Sequence, residues 1–116
     1  MNRFIKRLEQ ISNLNDSWDG YGAIVPTKAT LDSALSFLEK IEKKGLSSLL
    51  DENDIVPTPY GTIDMDFMND TDIVSVEIGD NEMGYFTEFM AKENTAIDSL
   101  PLEDEGVFNV IAELKQ

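Results

Sequence analysis

Two short segments in the middle of the chain alternate apolar and polar residues with a period of two. They span residues 62–68 and 73–78. The apolar positions are Ile63, Met65, Phe67, Val74, Val76 and Ile78. This period, together with β-branched and aromatic residues, predicts two β-strands, because successive side chains of a strand point to opposite faces. Turn-forming residues at 69–72 and 79–82 follow the segments, so the pattern predicts antiparallel hairpins.

The two predicted hairpins agree on one register. A first reversal at Asp70 and Thr71 and a second at Asp80 and Asn81 place the apolar positions of three strands on one face. The predicted pairs are Phe67–Val74, Met65–Val76, Ile63–Ile78, Ile78–Met83 and Val76–Tyr85. A shift by one residue would turn an apolar row to water, so the sequence predicts a meander with one buried face.

The opposite face of the predicted meander is acidic. The predicted pairs on it are Asp64–Glu77, Asp66–Ser75, Ile73–Glu88 and Ser75–Phe86. Like charges that face each other are destabilising, so this face is expected either to be solvated or to meet something basic. The candidate partner-binding residues are Asp64, Asp66, Glu77, Phe86 and Glu88.

Helical periodicity occurs before and after the predicted sheet region. Apolar stripes at helical spacing occur in residues 1–14, after Thr27, and in residues 107–114. Residues 55–58 predict a first strand, which Pro57 restricts to a sheet edge. The sequence therefore predicts a single α+β domain over residues 1–116. It has two layers, with an antiparallel meander of about four strands and two N-terminal helices and one C-terminal helix packed on one face.

A glycine-rich loop, residues 15–23, precedes the second predicted helix. Two glycines one residue apart, beside aspartate and asparagine, predict tight turns with positive φ angles. Trp18 is the only tryptophan, and we interpret it as a plug between the helices and the sheet. The alternative interpretation is a recognition loop in which Trp18, Asp19 and Tyr21 contact a partner.

The net charge of −14 is unevenly distributed along the chain. Residues 1–44 hold seven bases and six acids, whereas residues 45–116 hold two bases and 17 acids. Carboxylates repel phosphates, so direct nucleic-acid binding is not expected, and the field favours a basic protein partner. The alternative is that the acidity only keeps the protein soluble. Charged residues interrupt the N-terminal apolar stripe and no apolar run of about 18 residues occurs, so we expect a cytoplasmic protein without membrane contact.

Few kinds of site chemistry remain open to this composition. The chain has no cysteine and no histidine, which excludes disulfides, thiolate metal sites and the usual general base. Asp64 and Glu77 offer a carboxylate pair. Oxygen ligands for a cation are offered by Asp64, Asp66 and Glu77, or by Asp70 with Asp72. A hydrolase needs a cleft, and no twelve-residue EF-hand pattern occurs. We therefore predict no catalytic residue, no metal site and no cofactor.

Two segments carry a resemblance to known proteins. They are Trp18-Asp19-Gly20-Tyr21-Gly22-Ala23 and Pro57-Thr58-Pro59-Tyr60-Gly61-Thr62-Ile63-Asp64-Met65-Asp66-Phe67. Together they resemble a group of uncharacterised small bacterial single-domain proteins with a WDGYGA-like segment. The resemblance covers about residues 14–90, although that group has tryptophan where this chain has Phe67. It implies a common fold and a bacterial origin, and it implies no chemistry.

These observations favour a non-enzymatic binding protein whose acidic sheet face contacts a basic partner. An antitoxin or immunity protein is the concrete form of this hypothesis, by analogy with other small acidic proteins. A mimic of DNA phosphates differs from it only in the identity of the partner. The alternatives are a structural domain that forms a homodimer through Ile73, Phe86 and Met90, and a carboxylate-based hydrolase.

Overall fold

The computed structural model describes residues 1–116 and has an α+β architecture. Its elements are α1 (Asn2–Ser12), α2 (Lys28–Lys43), β1 (Leu50–Pro57), β2 (Ile63–Met68), β3 (Ile73–Ile78), β4 (Glu82–Glu88), β5 (Ala96–Pro101) and α3 (Gly106–Ala112). Two short 3-10 helices, Ser47–Leu49 and Glu113–Lys115, precede β1 and follow α3. The strands form one antiparallel sheet in the order β1-β2-β3-β4-β5. The predicted α+β class and antiparallel meander are confirmed.

The register of the central hairpins is the predicted one. Met65 lies opposite Val76, and Val76 lies opposite Tyr85 in the next strand. The other three predicted apolar pairs are also present. The first reversal is closed by the Asn69 N–H, which donates to the Asp72 carbonyl at 3.1 Å. The alternation of apolar and polar residues was therefore sufficient to align three strands.

All three helices pack on the apolar face of this sheet. The buried helix residues that share one core with β2 and β3 include Phe4, Leu8, Ile11, Ala34, Leu38, Ile41, Val107 and Ile111. Phe37 in α2 stacks on Phe108 in α3, with ring centroids 5.1 Å apart. The same ring meets Phe67 of β2 edge to face, at a centroid distance of 6.2 Å. These aromatic contacts tie two helices to the centre of the sheet.

Local signals in the sequence set the ends of the longest helix. The Thr30 N–H donates to Thr27 Oγ1 at 3.2 Å, so Thr27 is the N-cap of α2, as predicted. Gly45 follows the helix with a φ of 71°, a left-handed conformation that glycine adopts without strain. None of the helices is long and apolar enough to cross a membrane.

Two strand predictions were wrong. The sheet has five strands, because β5 pairs with β4 along residues 96–101, where proline and alanine weaken the strand pattern. β1 begins at Leu50, five residues before the predicted start, and residues 51–54 bulge out of the ladder opposite Asp66. An irregular ladder of this kind hides the period of two from a sequence analysis.

The free edge of β1 is occupied by side chains of α1. The Thr58 N–H donates to the carbonyl of Thr62, just before β2, so Ile55 and Pro57 direct their backbone groups to the free edge. Pro57 has no N–H there, as the edge prediction requires. Arg7 Nε donates to the Ile55 carbonyl at 2.8 Å, and Arg3 Nη1 donates to the first carbonyl of β1 at 2.8 Å. Two arginines of α1 therefore satisfy two carbonyl groups of the edge strand.

Gly84 allows β5 to bend towards the sheet. Met83 pairs with Leu100 and Tyr85 pairs with Ile97, so β5 carries one residue more than β4 between these pairs. A Cβ atom at Gly84 would lie 2.8 Å from the Ile97 carbonyl oxygen and 2.9 Å from that of Asp98. These are backbone atoms, so a larger residue requires the strand to move.

We expect Gly84→Ala to lower the free energy of unfolding by about 1–3 kcal/mol, because the added methyl group displaces β5. Urea denaturation measures the loss, and amide hydrogen exchange should show faster exchange in residues 96–101. Gly106→Ala is the matched control. Its Cβ would meet only the flexible Asp104 carboxylate, at 3.1 Å, so stability should be unchanged or slightly raised. Equal stability of Gly84→Ala and the wild type would contradict this account of the β4–β5 ladder.

Candidate functional site

The sheet face opposite the helices carries a group of carboxylates. Asp64 lies opposite Glu77, Asp66 opposite Ser75, and Glu88 opposite Ile73, all as predicted. Asp54, in the bulge of β1, comes close enough to Asp66 for the two charges to interact. We call Asp54, Asp64, Asp66, Glu77 and Glu88 the acidic face.

Neutral hydroxyl groups orient two of these carboxylates. Ser75 Oγ donates to Asp66 Oδ1 at 2.7 Å. Thr62 Oγ1 donates to Glu77 Oε2 at 2.6 Å, and its oxygen also lies 2.6 Å from that of Thr58. Hydroxyl donors fix the position of a carboxylate without neutralising it. The hydroxyl groups therefore orient Asp66 and Glu77 without forming an ion pair with either.

No basic side chain neutralises the acidic face. The ion pairs of the protein are Arg3–Glu52, Lys28–Asp32, Lys40–Glu105, Lys44–Glu105 and Lys92–Glu113. None of them includes a residue of the acidic face. The sequence has no lysine or arginine between Lys44 and Lys92, so the three central strands contain only acids among their charged residues. No group of three or more acids is arranged to hold a metal ion.

Burial and mutual repulsion make two of the carboxylates easier to protonate. The pKa of Asp64 is raised from 3.8 to about 6, first by burial and then by the charges of Glu77 and Asp66. The pKa of Asp54 is also raised, by burial and then by Asp51 and Asp66. Burial is the larger cause of both shifts, and the neighbouring carboxylates add to it.

Apolar side chains border the carboxylates on this face. Phe86, opposite Ser75, is 46% exposed, and Met90 just beyond β4 is exposed as well. Met68 and Ile73 pair at the same end of the sheet. A groove of about 160 Å³ runs beside Phe86 and reaches Asp64 and Glu77. It is smaller than the roughly 300–1,000 Å³ of typical small-molecule sites.

The glycine-rich loop is not part of the acidic face. Asp19 Oδ1 accepts hydrogen bonds from the N–H groups of Tyr21, at 2.8 Å, and Ala23, at 3.2 Å. The Ile24 N–H donates to the Pro59 carbonyl at 2.9 Å, which joins the loop to the segment between β1 and β2. The structure thus places Trp18, Asp19 and Tyr21 on a separate surface, at one end of the sheet.

The prediction that Trp18 plugs the core was wrong. Trp18 lies outside the core cluster and is half-buried, and its Nε1–H donates to the Ile24 carbonyl at 3.4 Å. Left-handed backbone conformations at Ser17, Gly20 and Gly22, with φ angles of 59°, 81° and 86°, turn the segment back on itself. This closed turn holds the indole at the surface, so the apolar stripe of the preceding helix was a misleading guide.

Two features of the sites were missed from the sequence. Asp54 belongs to the acidic face only because of the bulge in β1, and the run Asp51-Glu52-Asn53-Asp54 was the available signal. Tyr60 is 82% exposed and lies beside Ile24 through an isolated parallel bridge. No local sequence pattern around Tyr60 predicts its contact with Ile24.

The raised pKa of Asp64 predicts a pH-dependent stability. Protonation is favoured in the folded protein, so Asp64 contributes stability that is present below about pH 4 and is lost as the pH rises through about 6. Asp64→Asn should therefore match the wild type near pH 4 and exceed its free energy of unfolding by about 1–3 kcal/mol near pH 7. Urea denaturation across this range measures the difference.

Carboxyl carbon NMR of the wild type checks the titration of Asp64 directly. Asp70→Asn removes one charge from an exposed turn and is the matched control. The interpretation fails if Asp64→Asn and Asp70→Asn change stability equally at every pH.

Comparison with known proteins found no matching family model, no matching curated protein and no matching solved structure. The resemblance to small bacterial proteins with a WDGYGA-like segment stays a prediction. Inferences about function therefore depend on the geometry and charge of the chain's own residues.

Proposed function

We propose that the protein is a non-enzymatic binding protein whose acidic face contacts a basic protein surface. The observation that carries this proposal is a group of five carboxylates on an uncovered sheet face with no ion pair. An uncompensated field of this kind accelerates encounter with an oppositely charged protein. The sheet face is broad and open, so it suits a folded partner better than a small molecule.

Phe86 supplies the apolar part of the proposed contact. It is nearly half exposed between the acids of β2 and β3 and the edge strand β5. Binding energy at interfaces is concentrated in a few aromatic residues, whereas surrounding charges mainly set partner choice and association rate. The partner is expected to present lysine and arginine residues around an apolar recess.

Neutralisation of a basic toxin is the concrete form of the proposal. A small domain that covers a basic surface blocks whatever acidic or phosphate-bearing target that surface recognises. This assignment to antitoxins or immunity proteins is by analogy. A partner that binds nucleic acid fits the same electrostatics, because its basic groove would accept carboxylates in place of phosphates.

The test compares two variants of equal net charge. One carries Asp64→Asn, Asp66→Asn, Glu77→Gln and Glu88→Gln, and the control carries Glu9→Gln, Glu39→Gln, Glu93→Gln and Glu103→Gln, which lie elsewhere on the exposed surface. Each immobilised protein is used to capture binding proteins, which are identified by mass spectrometry. We expect basic proteins that the wild type and the control retain at about 0.05 M salt, that elute at about 0.5 M, and that the acidic-face variant does not retain.

The salt dependence of binding and the position of the substituted residues provide two independent ways to reject the proposal. Eluates that do not change between low and high salt would count against steering by charge. Equal loss of binding in both variants would show that net charge matters and that the acidic face does not.

The exposed apolar side chains favour a second candidate function, self-association. Met68 and Ile73 pair at one end of the sheet face, and Phe86 and Met90 are exposed on β4 and just beyond it. Two acidic copies repel each other, so a dimer through these side chains should strengthen with salt. Light scattering should then show a mass that rises from 13.0 kDa towards twice that value with concentration and salt, and Phe86→Ser should abolish the rise. A constant monomeric mass removes this candidate.

A carboxylate-based hydrolase is the least supported alternative. Asp64 and Glu77 are neighbours, and the raised pKa of Asp64 suits an acid-base pair. The adjoining groove is too small to hold a sugar chain or a comparable substrate, as its volume of about 160 Å³ indicates.

A further inference from the structure

A second surface with its own chemistry lies at the end of the sheet, where the glycine-rich loop meets the β1–β2 connection. A groove of about 350 Å³ opens there, within the range of ligand-binding pockets. We call it the Tyr60 groove, and its lining residues that matter for binding are Ile24, Tyr60, Glu77, Asp80, Glu82 and Asp98. It shares Glu77 with the acidic face and is otherwise separate from it.

One wall of the Tyr60 groove is aromatic and apolar. Tyr60 is 82% exposed and Ile24 is 57% exposed, although both are large apolar residues. The parallel bridge between them and the hydrogen bond from the Ile24 N–H to the Pro59 carbonyl hold them side by side. Gly61, with a φ of 84°, sets the turn that positions the tyrosine. Neither Tyr60 nor Ile24 belongs to the hydrophobic core.

The charged residues that line the groove are all acidic. Asp80 and Glu82 come from the β3–β4 reversal, and Asp98 comes from the part of β5 that bends over Gly84. Ser99 Oγ donates to Glu82 Oε2 at 2.7 Å, which orients that carboxylate and leaves its second oxygen free. None of these carboxylates has an ion-pair partner, and no lysine or arginine lines the groove.

Positive charge near the groove is limited to the start of α2. Thr27 and Thr30 line the groove at this helix N-terminus, where Thr27 Oγ1 accepts the Thr30 N–H. Lys28 Nζ lies 3.0 Å from Asp32 Oδ2 and is therefore engaged. A helix N-terminus carries about half a positive charge, which is much less than the charge of four carboxylates. The groove consequently repels anions and attracts cations.

We infer that the Tyr60 groove binds an arginine side chain presented by a peptide segment of a partner protein. The guanidinium plane stacks on Tyr60, and its hydrocarbon stem packs against Ile24. The five N–H donors of the guanidinium match the carboxylates of Glu82 and Asp98. Lysine satisfies the charge, but it lacks the flat face that stacks on an aromatic ring.

The test is an NMR titration of the full-length, ¹⁵N-labelled protein with two probe peptides of equal charge. One is acetyl-Gly-Arg-Gly-Arg-Gly-amide, and the other has lysine in place of both arginines. We expect the arginine peptide to bind about 2–5-fold more tightly and to shift the amide signals of Ile24, Gly61 and residues 79–84.

Matched variants separate stacking from simple charge attraction. Tyr60→Ala should remove the preference for arginine, whereas Tyr21→Ala, an equally exposed tyrosine outside the groove, should leave it intact. Glu82→Gln combined with Asp98→Asn should weaken the binding of both peptides, and of the arginine peptide at least as strongly as of the lysine peptide. Asp66→Asn combined with Glu88→Gln alters only the acidic face and should change neither peptide's affinity for the groove.

Several results would overturn this inference. They are the absence of binding, equal affinity for the two peptides, or the same effect of Tyr60→Ala and Tyr21→Ala. Signal shifts confined to the acidic face would reject the Tyr60 groove while supporting the proposed function. Shifts confined to the groove would support this inference and leave the proposed function to its own capture experiment.

Discussion

The pairing of Val76 with Met65 on one side and Tyr85 on the other is the constraint on which the rest of the structure depends. Because side chains alternate along a strand, burial of this row under the helices sends Asp64 and Glu77 to the opposite face. A buried side chain of this size contributes about 1.5–3 kcal/mol, whereas a pair of facing like charges costs roughly 0.2–1 kcal/mol. Burial of the apolar row therefore decides the register, and the carboxylates are held together as its consequence.

The helices and the sheet carry different parts of the charge. Arginines of α1 hydrogen-bond to carbonyl groups of β1, and lysines of α2 pair with Glu105 before α3. The bases thus stay on the helical side and at its borders, where they stabilise the packing of helices against the sheet. No lysine or arginine is left to neutralise the carboxylates of the central strands, so the electrostatic asymmetry of the molecule follows from its architecture.

The sequence predicted the central hairpins well because they share β3. An error in either hairpin would have put Val76 on the wrong face of the other, so the two patterns constrain each other. The residues predicted for the acidic face accordingly lie together on it. β5 has no such support: its six residues, from Ala96 to Pro101, lack a regular alternation and pair through an irregular ladder.

Features that depend on contacts between distant segments could not be predicted from the sequence. Trp18 was misplaced because its position is fixed by backbone angles in a closed turn, and an apolar residue near a helix does not reveal them. The Tyr60 groove requires Ile24 to reach the β1–β2 connection through one parallel bridge. Neither residue has a local pattern that predicts the other as its neighbour.

The two edges of the sheet differ in a way that limits assembly. Two arginines of α1 hydrogen-bond to carbonyl groups of β1, whereas β5 is the other outermost strand and has no helix docked along it. Head-to-tail stacking of copies needs both edges, and the arginines of α1 oppose the addition of a strand at β1. Pairing between molecules is therefore favoured at β5, where one copy can join another and close a twofold pair.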